Sequence, residues 1–169
     1  MAKKNKKRKK AISDAIVAEQ TRPSLLTLPA VHLGILALMT AIVYSPTIHV
    51  PFYFDDFKQI IENPVIQNTL DLGNIANYST SRFVGYVTFA FDQAIHGNLP
   101  QGFHLTNTLI HLFSGWALYG FLMALINSPV LHKQKTSLTW LPLIASLIFV
   151  LHPLQTQAVT YIDQRLASL

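Results

Sequence analysis

The sequence predicts an all-α integral membrane protein, with about three transmembrane helices and interfacial helices in the first extracytoplasmic loop. Three observations carry this expectation. Half of the 169 residues are hydrophobic and only 12% are charged, against about a quarter charged in an ordinary soluble domain. Apolar runs of membrane length occupy residues 25–48 and 102–126, with a shorter one at 138–153. Charge is also sorted along the chain: ten of the 13 Lys and Arg residues lie either before residue 25 or in the 127–137 stretch.

Residues 1–24 read as a basic cytoplasmic tail, with a short amphipathic helix expected over 12–19. Lys3, Lys4, Lys6, Lys7, Arg8, Lys9 and Lys10 stand ahead of an apolar run. That placement makes them a topology signal rather than a nucleic-acid patch. The first span, 25–48, meets the requirement of about 20 apolar residues for crossing. Pro29 and Pro46 fall near its ends, where missing backbone donors are tolerated. The run is too long, and too far from the basic tail, for a cleaved signal peptide.

Residues 49–101 are too polar to cross. They carry Asp55, Asp56, Glu62, Asp71 and Asp92 against Lys58 and Arg82. A short helix over 55–63, stopped by Pro64, and an aromatic amphipathic helix over 82–95 are expected there. The second span, 102–126, carries His104, Asn107 and His111 at spacings of three and four, hence on one face. Residues 127–137 form a short basic loop. The third span, 138–153, is short and ends at His152-Pro153. The positive-inside rule puts the tail and the 127–137 loop in the cytoplasm, and 49–101 and 154–169 on the other side. The expected setting is a multi-pass protein of a bacterial inner membrane or an ER-like membrane, with its N-terminus cytoplasmic.

Several chemistries are excluded. No cysteine is present, so there are no disulfides or thiolate metal sites. Gly-rich phosphate loops, nucleophile elbows and His-Glu-x-x-His patterns are missing. Asn77-Tyr78-Ser79 fits a glycan acceptor pattern, but three residues are weak evidence. What stands out is Asp55-Asp56, an acidic pair just beyond the first span. Adjacent carboxylates anchor a helix poorly and suit a base or an ion ligand; the plainer reading is an N-cap for the helix that follows. The polar stripe of the second span fits a hydrogen-bonded seam between helices or, with two His on one face, a metal site.

A series of motifs adds to this. Phe54-Asp55-Asp56 is followed by Ile61-Glu62-Asn63-Pro64-Val65-Ile66, Arg82, Tyr86-Val87-Thr88-Phe89, Gly102-Phe103-His104-Leu105-Thr106-Asn107 and His111. Then come Leu151-His152-Pro153-Leu154-Gln155-Thr156-Gln157-Ala158-Val159 and Gln164-Arg165. In this order they resemble the N-terminal membrane part of the transmembrane O-mannosyltransferases that carry tetratricopeptide repeats, and their bacterial relatives. These belong to the GT-C class of polyprenyl-phosphate-sugar glycosyltransferases. The resemblance implies a partial GT-C-type fold, a polyprenyl-phosphate sugar as donor, and a protein acceptor. It implies Asp55 or Asp56 as general base, with a divalent metal at that pair in some relatives. Arg82, His104, His152 and Arg165 are implied near the donor phosphate. The plainer roles are headgroup snorkelling for Arg82 and a rim cap for His152. Full members carry many more spans and a repeat domain, so the 169 residues are expected to be an N-terminal portion with little activity alone. The alternative is a small non-catalytic membrane protein, or a split subunit whose remaining helices form another chain, packing against a larger partner through the His104, Asn107 and His111 stripe.

Overall fold

A computed structural model describes residues 27–67, 70–131 and 137–169. The basic tail with its expected helix over 12–19, and His132, Lys133 and Lys135, lie outside the described residues. Among the described residues all regular structure is helical. Three apolar helices form a bundle: α1 (Pro29–Tyr44), α5 (Pro100–Ile126) and α6 (Leu141–Leu151). A helical cap sits at one end. It comprises α2 (Pro64–Gln67), α3 (Leu72–Tyr78), α4 (Phe83–His96), α7 (Gln155–Thr160) and α8 (Arg165–Ser168).

Helix boundaries follow from local chemistry. Pro29 opens α1, where its fixed φ suits a first turn and its missing N–H is no loss. Pro46 ends the α-ladder, because it has no N–H for the carbonyl of Ile42. The Ser45 hydroxyl donates to that carbonyl instead, at 3.0 Å, and the chain tightens into a 3₁₀ turn over Ser45–His49. Helix α6 stops at His152, which is extended at φ −65°, ψ 131°. Pro153 requires this of the residue before it. Pro29–His49 and Pro100–Ile126 are each long and apolar enough to cross a membrane. The stretch expected as a third span yields an 11-residue helix, about 16 Å long.

Two cores result. The bundle core packs Leu36, Tyr119, Leu143 and Val150, with Leu33, Leu112, Trp116 and Phe149 around them. Helices α5 and α6 approach closely at Gly115, where a Cβ would lie 2.5 Å from Val150 Cγ1. The second core lies inside the cap, where Ile60, Ile66, Ile75, Tyr86, Phe89 and Phe103 close against Ile162 and Leu166 of the C-terminal segment. The described helices of the 49–101 stretch therefore pack on one another, and Ile162 and Leu166 of the C-terminal segment join their core. The outer faces of the bundle remain apolar, with Leu38, Ile42, Phe113, Phe121, Ile144 and Ile148 all exposed.

Candidate site: a groove beside Asp56

Beyond the 3₁₀ turn the chain bends at Phe54, whose φ of 46° is left-handed. That conformation costs a non-glycine residue about 1–2 kcal/mol. Asp56 closes the bend. Its Oδ2 accepts the Tyr53 N–H at 3.0 Å, and its Oδ1 accepts the N–H of Asp163, 107 positions further on, at 2.8 Å. Asp56 is buried and Asp55 is exposed. The helix expected over 55–63 forms, but its turn over Phe57–Ile61 is π-type, and Asp56 at its N-cap makes no side-chain capping bond. Such wide turns recur at functional sites.

An open groove of about 600 Å³ runs past this bend. Val50, Pro51, Tyr53, Phe54 and Asp56 line one wall, and Thr156, Gln157, Thr160 and Tyr161 line the other. Burial pushes the Asp56 carboxyl above its ordinary 3.8, Asp55 adds to the rise, and the two backbone N–H bonds and His104 oppose it. Asp163 is also raised, by burial first and then by Asp56 and Asp55, with Arg82 pulling it down. One of its oxygens, Oδ1, is buried without a hydrogen-bond partner among the described residues.

The other sequence-predicted residues take different places. His104 is fully buried behind the bend, with Nε2 2.9 Å from the Val50 carbonyl. A carbonyl only accepts, so Nε2 carries the proton. Asn107 donates to the Val159 carbonyl at 3.2 Å, and His111 to the Val150 carbonyl at 3.1 Å. The polar stripe is thus a seam that α5 makes with its own chain. Arg165 is 1% exposed and does not line the groove. Its guanidinium donates to Asp92 at 2.6 Å, to Asn107 Oδ1, to the Phe103 carbonyl at 2.8 Å and to Thr88 at 3.3 Å, with its face 4.6 Å from the Phe89 ring. Arg82 is exposed at the start of α4, beside a smaller cavity of about 180 Å³. His152 is exposed, and its Nδ1 accepts the Leu154 N–H at 3.2 Å.

Asp56 is therefore the predicted residue on the groove, with His104 and Arg165 one layer behind it. Among the described residues no three His, Cys, Asp or Glu side chains are grouped to hold a metal ion. Asp56 Oδ1 and Oδ2 each accept one backbone N–H bond, which leaves a further lone pair on each oxygen. Asp92 and Asp163 were not singled out by sequence. For Asp92 a signal existed: it stands seven positions after Gly85 and three after Phe89, which places an acid on the buried face of α4.

Two expectations follow. Replacing Arg165 by Met strands Asp92 as an unpaired buried charge, so unfolding in mild detergent should show a loss of about 3–5 kcal/mol. Adding Asp92→Leu should restore most of it. Asp56 and Asp163 are raised in the folded state, so their contribution to stability is complete below 3.8 and is lost as pH rises through the raised values. Asp163→Asn should therefore raise the thermal midpoint near neutral pH and leave it unchanged below 3.8. A uniform shift at all pH values would remove the electrostatic account.

No protein-family model, curated protein or solved structure matches this chain, so any functional reading rests on the groove and the residues behind it.

Proposed function

We propose that the groove is the acceptor side of a membrane-embedded sugar transferase of the GT-C type, using a polyprenyl-phosphate sugar as donor, with Asp56 as general base. In this reading the chain crosses the bilayer three times from a cytoplasmic tail, and the groove faces the extracytoplasmic side. The observation that carries it is the convergence of Phe54 and Asp56 with Thr156 and Gln157, from the segment after His152-Pro153, on one groove. These stretches are about a hundred residues apart, and each belongs to the series of motifs that prompted the resemblance.

The chemistry fits the geometry. An acceptor hydroxyl attacks the anomeric carbon, the bond from that carbon to the phosphate oxygen breaks, and polyprenyl phosphate leaves with the electron pair. The hydroxyl proton passes to Asp56. A carboxylate raised above its ordinary value by burial is a better base than an exposed one, and its two backbone donors hold it in place. Asp55 is exposed, and its backbone N–H lies 3.5 Å from the Tyr161 hydroxyl, so its part is the smaller one. Its charge raises that of its neighbour. In proteoliposomes containing the full chain and its membrane partners, Asp56→Asn should lower sugar transfer about 10²–10⁴-fold, within the range for a lost general base. Asp55→Asn should lower it far less, and equal transfer by wild type and Asp56→Asn would end the reading.

A second reading, as a non-catalytic or split subunit, draws on the length of α6. An 11-residue helix reaches about half of a ~30 Å hydrocarbon core. Protein neighbours would then complete the bundle through its exposed apolar faces, because His104, Asn107 and His111 each make a side-chain hydrogen bond within the chain. Mild-detergent extraction with mass determination should find the chain associated with further helices. Recovery as a lone monomer would count against this reading.

A further inference from the structure

We propose that Phe54 is a stacking platform for a pyranose ring in the groove beside Asp56, an inference that rests on reading the groove as a sugar-transfer site. Phe54 stands out on two counts. Among the described residues it is the non-glycine residue with positive φ, at 46°, a conformation that glycine adopts freely and bulky side chains avoid. It is also 71% exposed, so no core burial offsets the strain. Strain of this kind persists only where the surroundings over-determine it, and it gathers at binding and catalytic sites.

The surroundings do over-determine it. On one side Phe52 packs edge-on against Phe103 in the cap core, at 5.4 Å between ring centroids. On the other, Asp56 ties the bend to Tyr53 and to Asp163. The Phe54 ring meets Tyr53 edge-on at 4.3 Å and 84°, and it lines the groove.

The groove's chemistry selects the ligand class. The aromatic rings of Tyr53, Phe54 and Tyr161 line the groove together with a carboxylate and an amide, Asp56 and Gln157, and with the threonine hydroxyls of Thr156 and Thr160. A pyranose has an apolar C–H face and a rim of hydroxyls, which is the complement of that set. No lysine or arginine lines the groove, so a phosphate lacks a counter-charge there. A prenyl chain would offer the Gln157 amide no hydrogen-bond partner. The volume of about 600 Å³ lies within the ordinary range for small-molecule sites.

The test uses the full chain in detergent and in lipid nanodiscs, with methyl pyranosides of mannose, glucose and galactose as probes. Phe54→Gly relieves the backbone, so its thermal midpoint should be unchanged or higher. Saturation-transfer NMR should show its pyranoside binding weakened about three- to tenfold, the loss expected for one aromatic contact. Phe54→Trp should retain binding, and its added emission should change on saturation with sugar. A Phe54→Gly variant that binds pyranosides as well as wild type would overturn the proposal. So would a Phe54→Trp emission that shifts on moving from detergent to nanodiscs and ignores sugar, because that marks a bilayer anchor. The absence of saturation transfer to wild type would overturn it too. Asp56→Asn separates this inference from the catalytic one: unchanged transfer with intact pyranoside contacts sinks the base and leaves the platform standing.

Discussion

Arg165 is held at 1% exposure, and the cap depends on how its charge is satisfied. Desolvating a guanidinium is costly, and a buried ion pair repays this only when the remaining donors also find acceptors. Here they do. Asp92 from α4, Asn107 and the Phe103 carbonyl from α5, and Thr88 from α4 surround one planar group, with Phe89 beneath its face. Three stretches distant in sequence are thereby fixed relative to one another. Packing of Ile162 and Leu166 into the cap core follows from the same docking. Burial works to lower the Arg165 pKa and Asp92 works to raise it, but a guanidinium stays charged throughout, so the clamp holds at any ordinary pH.

That clamp determines what happens at Asp56. The 3₁₀ turn Ile162–Gln164 leads directly into Arg165, and its middle residue sends its N–H to Asp56 Oδ1. His104 holds the other end of the bend through Val50. Arg165 and His104, expected near a donor phosphate, are bonded within the chain to Asp92 and to the Val50 carbonyl, on either side of the segments that meet at Asp56. A general base needs a fixed direction as much as a suitable proton affinity, and neither would come from a free loop. Phe54's strain belongs to the same arrangement, because a bend pinned at both ends has few remaining conformations.

How much of this was legible in the sequence depends on range. Apolar runs and proline positions marked α1, α5 and the stop of α6, since hydropathy and the missing N–H act over a few residues. The spacing of His104, Asn107 and His111 identified the seam, because helical periodicity puts them on one face whatever they touch. Asp55-Asp56 stood out through its place after a span. The partner of Arg165 was out of reach: Asp92 lies 73 positions away, and no local pattern encodes that pairing. The π-type turn after Asp56 and the left-handed Phe54 were also hidden, because they arise from tertiary constraint and run against the local preference of a phenylalanine. The same holds for the cap core, where the amphipathic helices pack on each other and on Ile162 and Leu166, partners that local periodicity does not name.

Helix α5 connects these parts, and its length matters. Its 27 residues extend about 40 Å, roughly 10 Å more than a hydrocarbon core. In the proposed orientation the excess lies at the start of the helix, where Phe103 enters the cap core and Thr106 donates to Asp92 at 2.6 Å. Asn107 and His104 then sit at the level where the bilayer gives way to water. A buried charge is hardest to desolvate in hydrocarbon and easiest to flood in bulk water, so the boundary is where a clamp built on Arg165 can stay both dry and hydrogen-bonded. The groove opens just beyond it. In the proposed reading a lipid-linked donor would bring its sugar to this same level, because its phosphate cannot enter the hydrocarbon. In that orientation the overhang of α5 would set the height of the groove, and the seam along one face of the helix would set its direction.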